Sequence, residues 1–215
     1  MQIRKILAGG GLVALGAIGA TGVAVLSNGQ PPAAASAAIT PASFTAAAAA
    51  GEIDGVHSGV VFRIMHGGSS PFHGIFPGIE GTLDLDPSNP EAASIDVTID
   101  VTRVLTGNNS RDEHLRAPDY FNVRQFPTST FKANGGTANG DGSVTVDGEL
   151  TLLGKTLPVS ATITKTGEAD FRGQPYSGFE ATMSFDRSDF GMMTAIENGG
   201  LGDTVELTVF VKAAQ

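Results

Sequence analysis

The chain has 215 residues, 41% of them hydrophobic, with 29 glycines, 11 prolines, no cysteine and no tryptophan. A formal net charge of -9, with no basic cluster, excludes the phosphate-binding face that a nucleic-acid partner requires. The lack of cysteine excludes thiol catalysis, thiolate metal sites, disulfides and a lipid-modified cysteine anchor.

Residues 1–50 differ in character from the rest. Arg4 and Lys5 precede an uncharged run from Ile6 to Leu26, followed by an Ala/Pro-rich stretch. A basic start, an apolar run and small-residue sites such as Ala33-Ala34-Ala35 are the parts of a secretory signal. The run is also long enough to cross a bilayer. Residues 1–26 are therefore expected to form a cleaved signal peptide or a retained anchor, and residues 27–50 a spacer. Residues 51–215 form the domain, expected outside the inner membrane, periplasmic or secreted. A retained anchor would hold it near the membrane surface.

From residue 54 the pattern turns to period two, the signal of half-buried strands. Val60, Phe62 and Ile64 alternate with Val61, Arg63 and Met65. Ile79, Gly81, Leu83 and Leu85 alternate with Glu80, Thr82 and Asp84, and Ile95, Val97, Ile99 and Val101 with Ser94, Asp96, Thr98 and Asp100. One segment, about 110–117, reads as a helix, with Ser110 as N-cap and Pro118 beyond its end. A strand is expected at 128–134 around Phe131. Alternation then resumes at Val144, Val146, Gly148, Leu150 and Leu152, and at Val159, Ala161 and Ile163. It returns at Phe179, Ala181, Met183 and Phe185, and at Val205, Leu207, Val209 and Val211. Asn139-Gly140-Asp141-Gly142 and Gly154-Lys155 read as hairpin turns.

One short helix cannot cover these apolar faces, so they must bury against each other. Eight strands with short connections fit an all-β, antiparallel up-and-down barrel, which leaves no exposed edge. A barrel of this size is filled by its own side chains or holds one small ligand. The inward set is almost free of charge and includes Gly81, Gly148, Ala161 and Ala181. These small residues either leave volume for an apolar ligand or fit the taper of the barrel, and the pattern leaves both readings open.

The polar clusters are expected at the barrel mouth. The run Arg111-Asp112-Glu113-His114-Leu115-Arg116 reads as a lid, with Asp112 and Glu113 favouring the helix start and Arg111 reaching Asp119 or a strand end. A headgroup contact through Arg111 or Arg116 is its functional variant, and an enzyme using Arg111, Asp112 and His114 is the weakest reading. His57, His66, His73 and His114 have no metal spacing. His66 and His73 are expected to meet as a hydrogen-bonded pair at one barrel end, while Phe190 and Met192 cover the pore. No nucleophile elbow or Ser-His-Asp set can be built, so no catalytic residue and no metal site is assigned.

Several segments, in order, resemble the YceI-like polyisoprenoid-binding family. They include Phe72-His73-Gly74-Ile75-Phe76, the run Asn109–Arg116 followed by Asp119-Tyr120-Phe121-Asn122-Val123, and Phe126-Pro127-Thr128-Ser129-Thr130-Phe131. Gly148-Glu149-Leu150-Thr151-Leu152, Arg187-Ser188-Asp189-Phe190-Gly191-Met192 and Gly202-Asp203-Thr204-Val205-Glu206-Leu207 complete the set, which spans about residues 53–212. The chain departs from the family at Gly51, where a Trp is common, and at Leu153, where a His often precedes the glycine. The resemblance implies a lipocalin-like barrel holding a polyisoprenoid chain, an isoprenoid lipid or quinone, along an apolar pore. That ligand is the only bound group implied, with no further cofactor and no enzymatic activity. A ligand-free interaction barrel is the alternative, and both a monomer and a dimer are compatible with the sequence.

Overall fold

The computed structural model describes residues 51–215, so the signal and spacer expected at 1–50 lie outside the described residues. The domain is built from β1 (Gly59–His66), β2 (Ser70–Pro77), β3 (Ile79–Asp84), β4 (Ser94–Asp100), α1 (Asn109–Arg116), β5 (Thr128–Asn134), β6 (Thr137–Ala138), β7 (Ser143–Leu152), β8 (Lys155–Phe171), β9 (Gln174–Asp186) and β10 (Leu201–Ala214). Two 3-10 turns, at Pro90–Ala92 and Val101–Arg103, flank β4.

All strand pairs are antiparallel, in the order β2-β1-β10-β9-β8-β7-β5-β4-β3, with the short β6 paired to β7. The two ends of this path, β2 and β3, are consecutive in the chain and meet at Gly78, whose φ is +72. They form one bent run whose first half pairs with β1 and whose second half pairs with β4. Residues 51–54 complete the ring between β3 and β10. Ile53 N–H donates to the Gly81 carbonyl at 3.0 Å, and Asp54 N–H to the Lys212 carbonyl at 2.8 Å. With the bent run taken as one strand and β6 as an appendage, the sheet is the expected eight-stranded up-and-down barrel. The separate β2 was not foreseen, because Pro71, Gly74 and Pro77 interrupt its alternation.

The helix differs from expectation at its start. Asn108, not Ser110, is the N-cap, its side chain accepting the Arg111 N–H at 3.1 Å.

The end of the barrel beneath α1 is called the upper end here. The lower half is filled by its own side chains: Leu83, Ile95, Val97, Phe131, Val146, Ala161, Phe179, Ala181 and Val209 are all buried in one core. Each large apolar side chain buried there stabilises the fold by about 1.5–3 kcal/mol. Small inward residues make room for rings instead of opening a void. A Cβ at Gly148 would lie 2.5 Å from the Phe131 ring and 2.7 Å from the Lys132 carbonyl oxygen. A Cβ at Gly74, directly across from Phe62, would lie 2.3 Å from that ring. Gly81, expected to point inward, is exposed at a φ of +122.

Two outcomes follow from these contacts. Gly148→Ala should destabilise the domain by about 1–3 kcal/mol, because the Lys132 backbone cannot yield as a side-chain tip would; urea denaturation reads this directly. The second concerns Asp54, which accepts from Lys212 Nζ at 2.9 Å and lies 2.8 Å from His57 Nδ1. Burial raises its pKa, but the hydrogen bonds and charges of Lys212 and His57 outweigh this and hold the carboxyl at about 2. Its folded pKa is thus below the unfolded value of about 3.9, so its contribution is complete above pH 4 and lost as pH falls towards 2. Asp54→Asn should cost about 1 kcal/mol at neutral pH, with the gap to the natural chain narrowing between pH 4 and pH 2 in denaturation midpoints.

Candidate functional site: an apolar cavity under the helix

The upper half of the barrel holds a partly open cavity of about 350 Å³. Period-two alternation supplies its walls: Val60, Phe62 and Ile64 from β1, Ile99 from β4, Leu150 and Leu152 from β7, and Val205 and Leu207 from β10. The wall opens where β4 stops at Asp100 while β2 continues past it. The connection from Val101 to Pro127 fills that gap, held to β2 by paired bonds of 2.8 and 2.9 Å between Ile75 and Leu105. It presents Leu115, Tyr120 and Phe121 to the cavity. Phe121 stands edge-on to Phe76 at 5.3 Å, and Phe76 lies 5.6 Å from Phe62, so an aromatic ladder joins wall to cover. The β9–β10 connection completes the cover with Met192 and Ala195.

Of the residues expected along the pore, Val60, Phe62, Ile64, Ile99, Leu150, Leu152, Val205 and Leu207 line this cavity. Leu83, Ile95, Val97, Val146, Ala161, Phe179, Ala181 and Val209 pack in the lower core, and Met183 packs against it half-buried. The expected pore therefore divides into a hollow upper half and a solid lower half.

Among the expected mouth residues, His66, Arg111, His114 and Met192 line the cavity. His66 and His73 do not meet. They lie on opposite strands of the β1–β2 hairpin, where Arg63 pairs with His73 and Ser70 with His66, and His73 is exposed. Phe190 packs edge-on against the cavity residue Phe185 at 5.2 Å. Arg116 is drawn away from the cavity, donating to the carbonyls of Thr102 at 2.6 Å and Val104 at 3.0 Å.

The charged run on α1 holds the cover together. Asp112 is buried and accepts both the N–H and the hydroxyl of Thr106, at 2.8 and 2.5 Å. Arg111 donates to the Thr106 hydroxyl at 2.7 Å and its carbonyl at 2.8 Å, and its guanidinium lies 4.5 Å over the Phe72 ring. The expected Arg111–Asp119 contact is instead made by His114, whose Nε2 lies 2.7 Å from the Asp119 carboxylate.

Sequence reasoning overlooked Arg187 and Tyr120 as site residues. Arg187, at the end of β9, is 1% exposed and lines the cavity. It donates to the carbonyls of Gly202, Met192 and Thr194 at 2.9, 3.0 and 2.8 Å, fastening the β9–β10 connection. Burial lowers its pKa, while Tyr120 and Asp203 act in the opposite direction. Tyr120, 9% exposed, also lines the cavity. Burial raises the pKa of its phenol against the opposing effect of Arg187, so the hydroxyl keeps its proton at neutral pH. The signal for both was their place within the family-like segments around 119–123 and 187–192.

A closed antiparallel barrel, half solid and half hollow, with its apolar cavity under a helical cover, defines a protein of the lipocalin-like class. Residues 52–213 match the YceI-like domain, and the chain belongs to the YceI-like family. It is 36% identical over 163 residues to Protein YceI of Escherichia coli O6:H1, an alignment covering 75% of this chain and 84% of that protein. The crystal structure of Burkholderia cenocepacia BcnA superposes with a TM-score of 0.68 at 22% identity, covering 75% of this chain and 99% of BcnA. A polyisoprenoid binding domain from Saccharophagus degradans superposes with a TM-score of 0.57 at 16% identity, covering 78% of this chain and all of that domain.

Asp112→Ala would leave the Thr106 N–H and hydroxyl without their buried acceptor, a cost of about 2 kcal/mol. Urea denaturation should show that loss, and Asp112→Asn, which retains one acceptor oxygen, should lose less.

Proposed function

We propose that this protein binds an apolar lipid of the isoprenoid type, a quinone or carrier lipid, and stores or carries it without chemical change. The observation that carries this reading is the cavity itself: a partly open space of about 350 Å³ walled by the aliphatic and aromatic side chains of β1, β4, β7 and β10. This lies within the range of small-molecule sites. Each methylene buried there contributes about 0.8 kcal/mol before the costs of association. No charged partner is needed for that term.

Two further observations support the reading. The Saccharophagus degradans domain of the same fold is described as polyisoprenoid-binding. Arg111, Asp112, His114 and Arg116 of α1 are engaged with Thr106, Thr102, Val104 and Asp119, an arrangement suited to positioning a cover. Under this reading the domain acts outside the inner membrane, to which residues 1–50 deliver or tether it, and collects its lipid close to that surface.

Mass spectrometry of an organic extract of the purified protein should recover one equivalent of an isoprenoid lipid. Leu152→Lys tests the site: Leu152 stands at the end of β7 near the cover, where a lysine stem can follow the wall while its ammonium seeks water. The variant should fold and lose most of the lipid. A folded variant with an undiminished lipid content would place the ligand elsewhere.

A further inference from the structure

The outside of the barrel has two unlike walls. On β4, β5 and β7 the outward positions Asp96, Lys132, Asp147 and Glu149 are exposed and charged. On β2, β1 and β10 the outward positions form apolar rows. Phe210 lies across from Gly59, and Gly59 across from Pro77; Thr208, Val61 and Ile75 form the next row, and Leu105 bridges to Ile75. Six large apolar side chains are exposed among the described residues, and five of them, Val56, Ile75, Leu105, Phe171 and Phe210, belong to this wall or its lower margin. Single exposed hydrophobics are ordinary, but a group gathered on one side marks a contact surface.

The lower margin adds cations and rings. Strand β7 ends opposite Thr164, so the β8–β9 hairpin overhangs the barrel. Phe171 and Arg172 sit at its tip, the ring 58% exposed and the guanidinium 5.2 Å from it. Lys212 Nζ stands 4.0 Å from the Tyr176 ring and 5.5 Å from that of Phe171. Its partner Asp54 accepts the N–H of Val56 at 3.1 Å, which ties Val56 and the hairpin to β10 beside Phe210. Charges within the wall are matched, Lys212 with Asp54 and Arg63 with Glu206, while Glu180 bounds it across from Phe210. Glu168 and Asp170 stand on the other side of the hairpin, opposite Ser177 and Pro175. Residues 1–50 join the domain at the same margin, where Gly51 N–H donates to the Ala214 carbonyl at 2.8 Å.

We propose that the β2-β1-β10 wall, with the overhanging hairpin, is a docking surface for a phospholipid bilayer. Its exposed apolar side chains enter the headgroup boundary, and the rings beside Arg172 and Lys212 stand at the level of the phosphates. Like-charge repulsion turns the acidic wall away from anionic headgroups. The uncharged run Ile6–Leu26 is joined to the domain at the margin of this wall, which favours a bilayer over a second copy as its occupant. The barrel then lies on its side, with its axis along the surface. The inference rests on the reading that residues 1–50 bring the domain to a membrane and is separate from what the cavity binds.

The chain has no tryptophan, so Phe171→Trp and, separately, Glu149→Trp each report on one position. Both sites are exposed and tolerate the change. Each full-length variant is reconstituted with vesicles of phosphatidylethanolamine and phosphatidylglycerol, with and without brominated acyl chains, and flotation measures the bound fraction. Phe171→Trp should shift its emission to the blue and lose about half its intensity to bromine. Glu149→Trp, on the opposite wall, should keep its emission. Adding Phe210→Asp to Phe171→Trp should relieve most of the quenching while the protein still floats through residues 1–50. Quenching of both positions alike, of neither, or undiminished by Phe210→Asp would overturn the docking surface and leave the tether standing. A blue shift without vesicles that grows with protein concentration would overturn it in favour of a second copy. Protein that does not float at all would overturn tether and surface together.

Discussion

Eight antiparallel strands enclose an interior that side chains can fill without help, so a hollow inside such a barrel has to be held open. Here the lower layers meet across the axis, ring against glycine and methyl against methyl, while the upper layers have no opposing neighbours to meet. There β4 stops short, β2 bends outward at Gly78, and the gap is roofed by chain that is not part of the sheet. Everything that distinguishes the site follows from that substitution of roof for strand: its volume, its apolar wall and its placement at one end.

A roof made of irregular chain carries backbone groups that no ladder satisfies. The polar residues around the cavity answer that need. Arg116 takes the carbonyls of Thr102 and Val104, Asp112 takes the Thr106 N–H, and Arg187 takes two carbonyls of the β9–β10 connection and one of β10. Each of these groups lets an apolar neighbour face inward without leaving a peptide unit unpaired. This is why a run as charged as Arg111–Arg116 can lie over a cavity lined by Phe72, Leu115 and Phe121.

Alternation made the barrel legible in the sequence, since a period of two states which face of a strand is buried. It carries no information about depth along the barrel axis. Val60 and Val209 obey the same pattern and even pair with each other, yet one borders the cavity and the other belongs to the packed layer beneath it. Strand β2 escaped notice because its two prolines and one glycine break the pattern that identifies its neighbours. Arg187 escaped for a different reason: an arginine just past a strand ordinarily faces water, and only the fold of the following loop back to β10 brings three carbonyls around it. The histidines were misplaced by the same limit, because a hairpin register, which sequence spacing does not supply, sets His66 opposite Ser70 and His73 opposite Arg63.

Affinity and selectivity in such a site come from different parts of its wall. Burial of methylenes gives affinity that scales with area and is nearly blind to the identity of the chain. Buried donors contribute less when satisfied than they cost when left bare, so they act mainly against ligands that lack an acceptor. Arg187 cannot be relieved of its charge at neutral pH even though burial lowers its pKa, and it cannot turn away, because three carbonyls fix its plane. All three guanidinium nitrogens are spent on backbone carbonyls, so the charge serves the roof while the wall around it stays apolar. The same residue that fastens the β9–β10 connection also borders the cavity, so the wall and the stability of the roof meet in one guanidinium.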